Sequence, residues 1–142
     1  MTLDRRSFIK VLGSASGLAL AGCAAQGPVG STTEIMPKGA ARRVVVVGGG
    51  FGGAIAAKYI RMLDKSIEVV LVEQNRQFIS CPFSNFYIAG LMNDMSTLTI
   101  GYDKLAANHG IKMVYGVATA IDPAAKKVVT TEGTLTYDRL IV

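Results

Sequence analysis

The 142-residue sequence is poor in the residues that build metal and disulfide sites: it has one histidine, His109, and two cysteines, Cys23 and Cys81. No cysteine and histidine cluster of metal-binding spacing occurs, which excludes a zinc site of the usual kind. No Cys-x-x-Cys-His run occurs, which excludes covalent attachment of a c-type haem. Cys23 falls in a leader-like segment, so Cys81 is alone in the part expected to fold. An internal disulfide is therefore excluded, and Cys81 is expected to be free, modified or paired with something beyond the chain. Long apolar runs are also lacking. The stretch 8–21 is interrupted by Lys10 and small polar residues, and it is too short to span a bilayer. A net charge of +5 invites a polyanionic partner, but the basic residues are scattered and form no stripe with aromatics. Nucleic-acid binding is not expected. Half of the residues are apolar, as in a globular chain, and the length allows one domain or part of one.

What is present is concentrated in residues 42–73. Four valines, Val44 to Val47, run without alternation, as in a parallel strand buried on both faces. Five glycines then occupy six positions, Gly48, Gly49, Gly50, Gly52 and Gly53, with Phe51 among them. A helical stretch follows, with Ile55, Tyr59 and Met62 or Leu63 at helical spacing and Lys58, Arg61 and Asp64 largely on the other side. A second apolar run, Val69 to Val72, ends on Glu73. Strand, glycine turn, helix, strand and acid form the dinucleotide-binding fingerprint. Gly48 permits the turn, Gly50 lets the backbone approach a pyrophosphate, and Gly53 lets the helix pack on the sheet. The helix N-terminus offers N–H groups to the phosphates. Glu73 is placed to accept ribose hydroxyls and to repel a 2′-phosphate, with Gln74 beside it.

The N-terminus has its own pattern. Arg5 and Arg6 precede Ser7-Phe8-Ile9-Lys10, which resembles a twin-arginine export signal and implies export of a folded protein. Residues 1–22 are thus expected to be a signal peptide. Leu20-Ala21-Gly22-Cys23 also looks like a lipoprotein processing box, with Cys23 as the lipidated residue; an ordinary cleavage site with a chance cysteine is the other reading. Residues 23–41, rich in Gly, Pro, Ser, Thr and Ala, read as a flexible tether, and residues 42–142 as the folded part.

The segment 74–90 leaves the carboxyl end of the second strand beside the expected ligand crevice. It holds Cys81 and Pro82 among Phe78, Phe83, Phe86 and Tyr87. Such a cysteine is either a small buried hydrophobe or one held against a flat aromatic cofactor. Further on, 102–108 reads as a short helix stopped at His109-Gly110, with His109 at the surface or capping. Residues 112–115 read as a third parallel strand. Residues 117–121 and 127–131 read as an antiparallel pair turned at Asp122-Pro123, residues 134–136 as another short strand, and residues 137–142 as a final strand. No Cys-x-x-x-x-Cys pair follows the first helix, which disfavours a glutathione reductase type of mechanism.

Taken together, these segments resemble the flavoprotein subunit of flavocytochrome c sulfide dehydrogenase, within the pyridine nucleotide-disulfide oxidoreductase superfamily. The resemblance is carried by the leader, by the run VVVVGGGFGGAIAAKYI, by Ser80-Cys81-Pro82-Phe83-Ser84-Asn85, and by Gly101-Tyr102-Asp103, His109-Gly110-Ile111 and Ile121-Asp122-Pro123. It implies an α/β fold: a Rossmann-like FAD-binding domain with a parallel sheet and an antiparallel strand insertion, incomplete at the C-terminus. It implies FAD as cofactor, bound at Gly48 to Gly53, Glu73 and Gln74, and joined by a thioether from Cys81 to the 8α-methyl of the ring. Pro82 and Phe83 depart from the family pattern. It also implies sulfide as substrate, a c-type cytochrome subunit as partner, a periplasmic location, and redox cysteines beyond residue 142, so that this piece alone is expected to be inactive. Two other readings stay open. One is a different reductase of the superfamily, such as a sulfide:quinone reductase or a type II NADH dehydrogenase, the latter disfavoured by the export leader. The other is an exported nucleotide-binding or electron-carrier module without turnover.

Overall fold

The structure is a computed structural model and describes residues 33–142; the expected signal peptide and Cys23 lie outside the described residues. The valine run forms β1 (Arg43–Val47), followed by α1 (Phe51–Leu63) and β2 (Glu68–Glu73). Then come β3 (Gln77–Ile79), α2 (Ser84–Ile88), a 3-10 turn (Ser96–Leu98), β4 (Thr99–Gly101), α3 (Asp103–His109) and β5 (Lys112–Tyr115). The chain continues through β6 (Ala118–Asp122), β7 (Lys127–Thr130), β8 (Gly133–Thr136) and β9 (Arg139–Ile141). Strands β5, β2, β1 and β9 form a four-stranded sheet in that order, parallel throughout. Strands β6, β7 and β8 form an antiparallel meander. This is the Rossmann-type α/β fold with antiparallel strands expected from the sequence.

The valine run is apolar on both faces because both faces are covered. Val44, Val46, Val69 and Leu71 point to one layer, where they meet Ala57 of α1 and Ile111. Val45, Val70 and Val72 point to the other, where they meet Val128 of β7 and Leu135 of β8. Each fully buried valine or leucine contributes roughly 1.5–3 kcal/mol of transfer free energy, so this pair of layers dominates the stability of the unit.

Four local features differ from the sequence expectation. First, the expected apolar stripe of α1 is not its buried face: Ile55, Tyr59 and Met62 are about half exposed and Leu63 is 85% exposed. The buried face carries Gly53 and Ala57, with Ile60 packed on its margin, because the helix approaches the sheet too closely for large side chains. Second, Arg61 is turned inward, donating to the carbonyls of His109 (2.9 Å) and Ile67 (2.6 Å), which ties the C-terminal end of α3 to the start of β2. Third, the segment after β2 is not a plain loop. β3 pairs antiparallel with β4, and α2 follows Phe83, whose φ of +69° is a left-handed conformation unusual for a bulky residue.

The fourth concerns the expected tether. Its last part packs on the domain: Ile35 N–H donates to Thr134 O at 3.1 Å, and Ile35 and Met36 join the core under the meander. Lys38 pairs with Asp138 at 2.7 Å. Arg43 explains why this arm is held. Its side chain is fully buried, and its guanidinium donates to Met36 O (2.7 Å), Pro37 O (3.1 Å) and the carboxylate of Glu68. A buried guanidinium has to find acceptors, and the arm supplies two of them. Among the described residues no helix is long and apolar enough to cross a membrane.

Candidate functional site

The glycine turn between β1 and α1 is held from several sides. Gly48 has φ +96°, a backbone state that glycine adopts without strain, and its N–H donates to Val72 O at 2.8 Å. A Cβ on Gly53 would stand 1.9 Å from Gly48 O, so the helix and the turn touch backbone to backbone there. Gly50 is the N-cap of α1, and no side chain caps that end. The first-turn N–H groups of the helix are therefore left to water or to a ligand, with the partial positive charge of the helix end behind them. A Cβ on Gly50 would meet nothing nearer than a Phe78 ring carbon at 4.0 Å, and one on Gly52 would meet nothing within 4 Å. The turn is thus open on the side a pyrophosphate would approach.

Glu73, at the end of β2, lies against this turn. Its Oε2 accepts the Gly49 N–H at 2.6 Å, and its Oε1 accepts the Asn75 N–H at 3.0 Å. The carboxylate is held beside the turn and is half-buried, as needed for a group that receives hydroxyls. Gln74 follows at the exposed start of the next segment. Phe51, at the first position of α1, packs edge-on against Phe78 of β3, centroids 5.0 Å apart. That contact sets the antiparallel β3–β4 pair against the first residue of α1. Gly49, Gly50, Phe51, Phe78, Ile100 and Tyr102 line one side of a cleft of about 390 Å³ that runs between α1 and α3.

Cys81 lies off the turn, in the connection from β3 to α2. It is a free, exposed thiol rather than a buried hydrophobe. It is three residues beyond Phe78, within about 11 Å of backbone. Ser80 is buried beside it, its N–H donating to Leu98 O at 2.8 Å, which anchors the chain just before the thiol. Phe83 and Phe86 follow Cys81 in the chain, their ring centroids 5.9 Å apart and both rings exposed. The structure thus joins the glycines and Glu73 directly, joins Phe51 to β3, and leaves Cys81 and Gln74 exposed and outside the lining of the cleft. Among the described residues no group of histidines, cysteines and carboxylates could hold a metal ion.

One residue of the site was not legible in the sequence. Tyr102 is buried, and its hydroxyl donates to Gly49 O at 2.9 Å. Burial pushes its phenol pKa above the ordinary value, and the negative charge of Glu73 adds to that. No periodic pattern could have signalled a contact spanning 53 residues.

Comparison with known proteins agrees with this geometry. The family model described as pyridine nucleotide-disulphide oxidoreductase matches residues 42–142. The chain belongs to that family. Its match to the flavoprotein chain of flavocytochrome c sulfide dehydrogenase of Chlorobaculum thiosulfatiphilum is 68% identical over 44 residues, covering 31% of this chain and 92% of that sequence. It is 33% identical over 103 residues to apoptosis-inducing factor homolog A of Dictyostelium discoideum, covering 71% of this chain and 23% of that one. Among solved structures it is similar to the sulfide:quinone oxidoreductase of Aquifex aeolicus, with a TM-score of 0.64 and 29% identity over 70% of this chain and 23% of that chain. The chain therefore spans about a quarter of the length of the last two relatives. Fold and family are those of FAD-dependent oxidoreductases, and the resemblance to the sulfide dehydrogenase flavoprotein is found.

Proposed function

We propose that the chain is the cofactor-cradling part of an exported, FAD-dependent sulfide dehydrogenase that passes electrons to a c-type cytochrome subunit. The observation that carries the sulfide assignment is the 68% identity to a sulfide dehydrogenase flavoprotein chain. The FAD assignment is supported by the uncapped N-terminus of α1, the open face of Gly50 and the carboxylate of Glu73 held at the turn. In this reading the N–H groups of the first turn of α1 receive the pyrophosphate, and Glu73 receives the ribose hydroxyls of the adenosine half. Cys81 carries the ring through a thioether. Its exposure supports this, as does the anchoring of Ser80 beside it. FAD supplies the two-electron oxidation of the sulfur substrate and one-electron delivery onward. The described residues contain one cysteine, so a redox disulfide cannot form among them and the chain alone is expected to show no sulfide turnover. Residues 1–22 are proposed as the twin-arginine signal of a periplasmic protein, and Cys23 as a site of lipid attachment.

The test is the visible spectrum of protein precipitated with acid and washed, compared with Cys81→Ala. Flavin colour retained in the wild-type pellet and lost in the variant is the expected result. Complete release from the wild type would remove the thioether and leave noncovalent FAD. A second reading, electron delivery to a quinone, is favoured by the likeness to the Aquifex aeolicus enzyme. Reduction of cytochrome c but not of a soluble quinone by the sulfide-reduced full-length protein separates the two.

A further inference from the structure

We infer that Tyr102 is a positioning residue of the dinucleotide turn, fixing the direction of the Gly50 N–H before any ligand arrives. The inference rests on the dinucleotide reading above and adds to it a residue from outside the fingerprint. The argument starts from the peptide plane. In a trans peptide the C=O of one residue and the N–H of the next point in opposite directions. The Gly49 carbonyl is held by the Tyr102 hydroxyl at 2.9 Å. The N–H of Gly50, in the same plane, is therefore aimed away from Tyr102. The flanking peptide is fixed as well: the Gly49 N–H is taken by Glu73 at 2.6 Å, and the Gly48 N–H by Val72 O at 2.8 Å. Without the phenol, the Gly49–Gly50 peptide would lose the partner on its carbonyl side, between two residues that have no side chain to restrict rotation.

The fit is close. A Cβ on Gly49 would stand 2.5 Å from the Tyr102 hydroxyl oxygen and 2.7 to 2.8 Å from the ring, so the phenol fills the space that a side chain at Gly49 would need. Tyr102 is 4% exposed, which shields its hydrogen bond from water. Burial, with the negative charge of Glu73, keeps the phenol protonated and hence a donor. Gly49, Tyr102 and Glu73 act together: the glycine is small for the phenol, the phenol holds its carbonyl, and the carboxylate holds its N–H.

The test uses the full chain, with ADP and adenosine as probes. Tyr102→Phe keeps the ring and removes the donor. The expected result is a roughly fivefold to tenfold weaker ADP affinity, the size of one lost hydrogen bond, with adenosine affinity unchanged. The amide resonance of Gly50 in ligand-free protein is expected to move and to exchange faster with solvent. Replacing Tyr102 with p-aminophenylalanine, which retains a donor there, is expected to restore both. A purely space-filling role would weaken ADP and adenosine alike, or neither, and would leave the Gly50 amide unmoved; either result overturns the inference. If the wild type binds no ADP, the dinucleotide reading falls, and the Gly50 amide still decides whether Tyr102 holds the turn.

Discussion

The glycines of the turn are alike in sequence and unlike in what they tolerate. Gly53 faces backbone: an added methyl would lie 1.9 Å from Gly48 O, which no side-chain rotation can relieve. Gly53→Ala is expected to destabilise the chain by ~3 kcal/mol or more, because the helix has to move off the sheet. Gly52→Ala meets nothing within 4 Å and is expected to melt within a degree or two of the wild type. Paired thermal melts of the two variants check this; equal losses would mean that helix-to-turn contact is not the constraint. The special places of Gly48 and Gly53 were legible because the turn, the helix and the strand are neighbours in sequence. The demand at Gly49 was not, because the atom that would collide with its side chain belongs to Tyr102. Glu73 was legible by its spacing from the turn. Its bond to Gly49 could be seen only once both strands were paired.

At the scale of elements, α1 shows why periodicity misleads when the partner surface is very close. Ile55, Tyr59 and Met62 repeat at helical spacing, yet they form the exposed side, and the sheet-facing side is marked by small residues instead. Ala57 is fully buried, in the same core cluster as Val46 and Val69. Ala57→Leu is expected to cost about 2–3 kcal/mol through overpacking. Tyr59→Ser, on the exposed face, is expected to change stability by less than about 0.5 kcal/mol. Urea unfolding of the two variants decides between the faces, and the reverse order would restore the large-residue stripe as the buried one. The strands were more legible than the helix face. β1, β2, β5, β7 and β8 fall where valine runs and alternation put them, whereas β3, α2 and β4 were not separated from loop. Those three elements are three to five residues long, and β3 and β4 pair with each other rather than with the central sheet.

At the scale of the whole molecule, a small set of charges ties the N-terminal arm, the parallel sheet and the meander together. Burial pushes the Glu68 pKa up, but hydrogen bonds from Arg43 and Lys112 outweigh this and hold its carboxyl below its ordinary value. Hydrogen bonds from Lys38 and from the Arg43 N–H hold Asp138 low as well. A depressed carboxyl contributes stability that is fully present above the unfolded-state pKa and is lost as pH falls through the folded-state one. Urea midpoints are therefore expected to be level from neutral pH to about 5, and to fall below the ordinary carboxylate range near 4. Glu68→Gln is expected to lower stability by about 3 kcal/mol at neutral pH, since it strips the buried guanidinium of its counter-charge, and to flatten the acid slope. An unchanged slope would remove Glu68 from the account. None of this was legible: the sequence presents Arg43 as half of an exposed-looking basic pair, and only the finished fold buries it.

The order of the central sheet has a consequence for synthesis. β1 needs both neighbours, and its second neighbour, β9, begins 92 residues after β1 ends, as the register of Val44 to Val46 with Arg139 to Ile141 requires. A nascent chain emerging from the ribosome can assemble β1, α1 and β2 early. The far flank of β1 then stays unsatisfied until residue 141 has cleared the exit tunnel. Such long-range parallel pairing is intrinsically slow and leaves a bare strand edge in the meantime. On the export route proposed above, which accepts only folded cargo, that interval would set the earliest moment at which transport can begin.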